Sequence, residues 1–175
     1  MKILNVGVVG CGGIANNKHL PAMKRTGCYN IVAFCDLVEE RAEKAKKEFG
    51  TEHARVYTDY EEIIKEDLDA VYVLTPNSSQ APVAIAAMKA GKHVMCEKPM
   101  AKTFAEAQEM VKTAKETGKI LTIGYKNRYR SDSQYLKKAC ANGDLGEVYY
   151  AKAHAIRRRA VPTWGVFLDA EKQGG

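Results

Sequence analysis

Apolar and polar residues along this chain fall into two alternating periods. Short, nearly continuous apolar runs occur at residues 3–9, at Ile31-Val32-Ala33-Phe34-Cys35, at Ala70-Val71-Tyr72-Val73-Leu74 and at Val94-Met95-Cys96. Such runs suit strands buried on both faces. Between them lie segments with helical spacing, as in Phe104, Ala107, Val111 and Ala114, which fall on one helical face and form the expected sheet-facing stripe. The pattern predicts strands at 3–9, 30–35, near 55–57, 70–74, 93–96 and 120–124, with helices at 13–26, 38–49, 59–66, 80–90 and 104–117. This alternation with short connections predicts an α/β fold, a doubly wound parallel sheet covered on both faces, in the order 3-2-1-4-5-6. Thr103 with Glu106 spells a capping box, and Gly118 and Gly91 stand where their helices must stop. Pro82 is placed in the first turn of its helix, where a missing amide hydrogen is tolerated. After residue 124 the pattern changes. A short helix at 132–141 leads to Gly143-Asp144-Leu145-Gly146, and residues 147–159 read as a longer strand. That strand would open a second, incomplete α+β domain over 125–175, with 1–124 as the first domain.

The first apolar run ends in Gly10-Cys11-Gly12-Gly13-Ile14-Ala15, and a helical pattern begins at once. Bare backbone at such a turn lets a pyrophosphate approach the first amides of the helix, whose N-terminus carries partial positive charge. Gly10 permits the sharp turn, Gly12 has no Cβ to block phosphates, and Ala15 keeps the helix close to its strand. The second apolar run ends in Asp36, 24 residues after Gly12. A carboxylate at that strand tip can bind adenosine ribose hydroxyls, or it can cap the next helix. Asp36 would also oppose a 2′-phosphate; Leu37 offers no compensating cation, and Arg41 is expected to lie too far along the helix. NAD is therefore expected over NADP. Thr75-Pro76-Asn77 and Glu97-Lys98-Pro99 follow the fourth and fifth strands. Ligands bind outside the carboxyl ends of such strands. There Thr75 and Asn77 offer polar groups to a nicotinamide ribose, or make an ordinary turn with Ser79 as cap. The Lys98 ammonium could donate to a substrate oxygen and lower a hydroxyl pKa, or form a solvated pair with Glu97.

Composition narrows these readings. Hydrophobic residues make up 46% and charged residues 27%, a balance that fits a globular protein. No apolar stretch reaches the ~18 residues of a membrane helix, so no membrane is expected. Five cysteines without a C-x-x-C predict reduced thiols in a cytoplasmic protein. Cys11, at a helix N-terminus, is a candidate redox thiol, although a small residue suffices there. Residues 1–120 carry 17 basic and 16 acidic groups, and residues 121–175 carry 10 and 5. The excess centres on Arg157-Arg158-Arg159, with no aromatic platform or recognised nucleic-acid motif around it. A substrate-facing or solvated basic strand is expected there, and no nucleic-acid partner. His93 and His154 are expected to be packed or half-exposed strand residues.

Taken together, the glycine turn, His19-Leu20-Pro21-Ala22, Asp36, Thr75-Pro76-Asn77, and Ala90-Gly91-Lys92-His93-Val94-Met95-Cys96-Glu97-Lys98-Pro99 resemble the Gfo/Idh/MocA oxidoreductase family. The stretches from Gly124 to Arg128 and from Arg157 to Gly175 look like it too. The resemblance implies an NAD(P)-dependent dehydrogenase or reductase acting on a sugar, polyol or related hydroxy compound. It makes Lys98 the catalytic lysine. It implies cofactor contacts from Gly10, Gly12, Gly13, Ile14, Ala15 and Asp36, and nicotinamide contacts from Thr75, Pro76, Asn77, Glu97 and Lys98. Asn127, Arg128 and Trp164 would approach nicotinamide or substrate, and no metal is implied. Two departures stand out. Gln80 occupies a position where the family often has histidine, and the Asp-x-x-x-His pair expected after the Gly-Gly is not in this sequence. A complete form would form a homo-oligomer. The alternative is a non-catalytic NAD-binding regulatory or partner-binding protein; a methyltransferase using the same glycine turn would leave Glu97-Lys98-Pro99 unexplained.

Overall fold

The computed structural model describes residues 2–156, 158, 163 and 165–174. Apolar runs become strands here because both faces of the sheet are covered. Strand β1 (Leu4–Val9) lies at the centre, between β2 (Tyr29–Cys35) and β4 (Ala70–Val73); β3 (Arg55–Tyr57), β5 (His93–Cys96) and β6 (Leu121–Ile123) complete the sheet. All pairings are parallel, in the order β3-β2-β1-β4-β5-β6, as the alternation predicts. One face packs Val71, Val73, Val94 and Cys96 against α3 (Tyr60–Ile63), α4 (Asn77–Lys89) and α5 (Phe104–Thr117) through Ile63, Ala84, Met88 and Met110. The other face packs Val6, Val8, Ile31 and Phe34 against α1 (Leu20–Thr26) and α2 (Glu39–Phe49) through Leu20, Met23, Ala42 and Ala45. Burying one such side chain is worth roughly 1.5–3 kcal/mol, so two filled faces fix the sheet.

The helices depart from expectation in informative ways. The first does not run uniformly from 13 to 26. A π-turn spans Ala15–His19, closed by Leu20 N–H donating to the Ala15 carbonyl, and α1 follows. The wider turn lets Ala15 and Leu20, five positions apart, both reach the sheet with no exposed surface. Helix α4 begins at Asn77 rather than 80, so Pro82 lies in the helix interior, not its first turn. In α5 the capping box forms between Thr103 and Glu106, and Gly118 ends the helix at φ 65°. Its buried positions, however, are Met110 and Thr113; Phe104 is 78% exposed and Val111 42%. The expected stripe was thus rotated, because only one edge of α5 meets the sheet and α4.

The chain divides into two units, 1–124 with 166–175, and 125–165. The expected boundary put all of 125–175 in the second part; residues 166–175 lie with the first. There the short α7 (Ala170–Gln173) is bonded to the first unit, with Asn77 Nδ2 donating to the Gln173 carbonyl at 2.9 Å and Lys102 Nζ to the Glu171 carbonyl at 3.1 Å. The second unit holds a 3₁₀ turn (Lys126–Tyr129) and α6 (Ser131–Asn142), whose first turn carries a bidentate Arg130–Asp132 pair. The expected strand at 147–159 is a correction: residues 147–156 form no strand and are exposed, His154 among them. An alternating pattern becomes a strand only when a neighbour satisfies its backbone groups, and among the described residues of 125–165 there is none. Arg157 and Arg159 lie outside the described residues. Among those described, no helix is long and apolar enough to cross a membrane.

Candidate functional site

Four neighbouring strand ends, those of β2, β1, β4 and β5, gather the candidate residues at the carboxyl edge of the sheet. After β1, Gly10 sits at φ 95°, and a Cβ there would meet the Leu74 carbonyl oxygen at 2.6 Å, so neither its conformation nor its space admits a side chain. A Cβ on Gly12 would meet nothing within 4 Å. The loop therefore presents bare backbone to open space at the start of a helix. Asn16 braces it, donating from Nδ2 to the carbonyls of Cys11 at 2.7 Å and Gly12 at 3.0 Å. Ala15 is fully buried, as close helix–strand packing requires, while Gly13 and Ile14 are exposed.

Asp36, at the end of β2, turns toward this loop. Its Oδ2 accepts from the Cys11 amide at 2.8 Å and its Oδ1 from the Val38 amide at 3.0 Å. One carboxylate thus holds the glycine loop and also turns the chain into α2. Arg41 is a correction. It was expected to lie too far along α2, yet its Nη1 stands 3.9 Å from Asp36 Oδ1, because the first turn of α2 folds it back over the strand end. Cys11 follows the plainer of its two readings, a small residue in a tight turn. Its thiol is 1% exposed, and burial first, then the Asp36 charge, pushes its pKa up to about 12. A helix N-terminus does not produce a thiolate in so dry and acidic a place, and the redox reading falls.

At the end of β4, Thr75 Oγ1 is buried without a hydrogen-bond partner among the described residues. Pro76 is exposed as the residue preceding α4, and Asn77 gives its amide to Gln173. At the end of β5, Glu97 Oε1 lies 2.8 Å from His19 Nε2, and Oε2 accepts from the Lys98 amide at 2.9 Å. The Glu97 carboxylate is therefore bonded to His19 and to the Lys98 backbone rather than to the Lys98 ammonium. Lys98 itself is exposed. Asn127 and Arg128 are exposed in the second unit, and Trp164 lies outside the described residues. Sequence reasoning assigned no role to Asn16 or His19 and missed the reach of Arg41. The visible signals for His19 were its place at the close of the first helical turns and its membership in the His19-Leu20-Pro21-Ala22 piece of the family resemblance. Among the described residues no cluster could hold a metal ion.

Bare backbone at a helix start, an acid at the second strand tip and an unpartnered hydroxyl along the same edge fit a dinucleotide, the ligand of doubly wound sheets of this order. The first unit is, by class, a Rossmann dinucleotide-binding domain. Residues 4–125 match the Gfo/Idh/MocA family, described as an oxidoreductase family with an NAD-binding Rossmann fold, and the chain belongs to it. It is 37% identical over 173 residues to the D-glucoside 3-dehydrogenase of Escherichia coli K12, covering 98% of this chain and 49% of that protein. It is 33% identical over 164 residues to the inositol 2-dehydrogenase of Salmonella paratyphi B, covering 92% and 48%. Among solved structures, the WlbA dehydrogenase of Bordetella pertussis, in complex with NADH and UDP-GlcNAcA, superposes with a TM-score of 0.78 at 31% identity, covering 85% of this chain and 42% of that one. The chain spans about half the length of the curated relatives it matches.

Proposed function

We propose that this chain seats NAD in the crevice of its first unit and serves an oxidoreductase that moves hydride between the nicotinamide and a carbinol carbon of a sugar, polyol or related hydroxy compound. The observation that carries the proposal is Lys98: an exposed lysine on the carboxyl edge, with the neighbouring carboxylate bonded elsewhere. The glycine loop offers amides to the pyrophosphate, Asp36 offers its carboxylate to the adenosine ribose, and Thr75 Oγ1 offers an unused hydroxyl nearer the nicotinamide half. When bound, the nicotinamide takes or returns the hydride. The Lys98 ammonium donates a hydrogen bond to the substrate oxygen, stabilising negative charge there as the C–O bond order changes. Oxidation also releases the hydroxyl proton, which passes to water at this solvent-exposed edge. Similarity to glucoside and inositol dehydrogenases supports a polyhydroxylated ring as substrate. Five cysteines, none in a disulfide, suit a reducing compartment.

Fluorescence titration of this chain with NADH tests the cofactor half. Saturable binding is expected, and its absence would end the proposal. In a form that turns over, Lys98→Ala should lower kcat by about 10²–10⁴ while the dissociation constant for NADH moves far less. Equal losses in both would make Lys98 a binding residue only.

A further inference from the structure

On the carboxyl edge, the residue before Lys98 is firmly held. Glu97 is fixed at all four of its polar handles. Its amide donates to the Val73 carbonyl at 3.0 Å, and its carbonyl accepts from Gln80 Nε2 at 3.1 Å. One carboxylate oxygen meets His19 Nε2 at 2.8 Å, and the other accepts from the Lys98 amide at 2.9 Å. Gly124 closes the remaining side, since a Cβ there would come within 3.0 Å of Glu97 Oε1. Both members of the His19–Glu97 pair are largely buried, with side-chain exposures of 15% and 14%. The His19 ring also stands edge-on to Tyr72, with centroids 6.2 Å apart.

An ordinary surface ion pair needs none of this. What distinguishes the arrangement is what its two ends hold. His19 is the last residue of the π-turn that follows the glycine loop, and such turns recur at functional sites. Glu97 Oε2 grips the backbone of Lys98 itself. We infer that His19 and Glu97 form a strut between the phosphate-binding helix and the Lys98 corner, so that seating a dinucleotide on the glycine loop also sets the position of the Lys98 amine. Neither residue touches the reacting atoms in this assignment; both are positioning residues. Glu97, which the family resemblance makes a nicotinamide contact, acts instead by holding its neighbour. Gln80 supports it by locking the Glu97 carbonyl. The inference rests on the reading of Lys98 and the dinucleotide given above.

Acetylation of Lys98 by acetic anhydride, followed by peptide mass spectrometry with and without NADH, tests it on the chain as it exists. In the wild type NADH should slow acetylation of Lys98 by about tenfold. In His19→Leu that protection should fall to about twofold, although the NADH dissociation constant changes by less than about threefold, because a small misplacement costs the reactive end far more than the phosphate end. His19→Gln returns an N–H donor at a similar reach and should restore the protection, a rescue that loss of packing would not show. Should His19→Leu fail to fold, Gly124→Ala crowds the same carboxylate from the opposite side and should give the same partial loss. Full protection in a folded His19→Leu or Gly124→Ala would overturn the strut alone. NADH that binds wild type without protecting Lys98 would overturn the Lys98 reading and the strut with it, a pattern distinguishable from the first.

Discussion

Asp36 serves two demands with one carboxylate. It holds the glycine loop through the Cys11 amide, and in the proposed reading it also faces the adenosine ribose of the dinucleotide. A 2′-phosphate would face this negative charge, and like-charge apposition costs several kcal/mol. Arg41, 3.9 Å away and mostly exposed, offers partial compensation that its place in the sequence did not suggest. Helix periodicity gave its face, but not the way the first turn of α2 bends it back. NADH should therefore bind more tightly than NADPH. Asp36→Ser should shrink the preference by about tenfold or more, and Arg41→Ala should widen it by removing the cation that stands beside Asp36. Paired titrations read both. Tighter NADPH binding in the wild type would reverse the assignment. An unchanged ratio in Asp36→Ser would mean that the carboxylate only braces the loop.

Helix α5 separates what a pattern can show from what packing decides. Its limits, 104–117, its capping box and its terminal glycine were all legible, because caps are local chemistry. Its buried face was not. Phe104, Ala107, Val111 and Ala114 share a helical face, yet Met110 and Thr113 are the positions with no exposed surface. Both choices have helical period, and only the position of the sheet distinguishes them. Met110→Ala should cost about 2–5 kcal/mol in urea unfolding, whereas Phe104→Ala should fall within about 0.5 kcal/mol. A large loss at Phe104 would show that its surface is covered in solution. The strand expected at 147–159 shows the same limit differently. Alternation says which side chains would share a face, but a strand is completed by its neighbour, and no local signal reports whether one is there. The central strands escaped this ambiguity because each has parallel partners and both faces are buried.

At the scale of the molecule, the sheet order was legible, and with it the edge on which the candidate residues gather, since a parallel sheet of this order collects its strand ends on one side. The brace between His19 and Glu97 was not, because it joins residues 78 positions apart and depends on a π-turn that sequence period does not reveal. The same sheet ends bury three thiols beside acids. Cys11, Cys35 and Cys96 are each pushed from 9.0 to about 12, first by burial and then by charge, from Asp36 for Cys11, from Asp36 and Asp59 for Cys35, and from Glu97 for Cys96. The fold keeps these thiols neutral, while the unfolded chain would ionise them above 9.0. Between pH 9 and 12 the folded state thus binds more protons, and stability falls as pH rises; below pH 9 this contribution is fully present. Each thiol wholly inside that window draws about 1.4 kcal/mol per pH unit, before any relaxation of the fold. Urea unfolding at pH 7.5 and pH 10 should therefore show a marked loss, and the combined variant Cys11→Ala, Cys35→Ala, Cys96→Ala should lose distinctly less over the same interval. Lysines and tyrosines titrate in both proteins, so the difference between the two slopes isolates the thiols. Identical slopes would mean that the thiols ionise as easily inside the fold as outside it, and that the carboxyl edge admits far more water than its packing indicates.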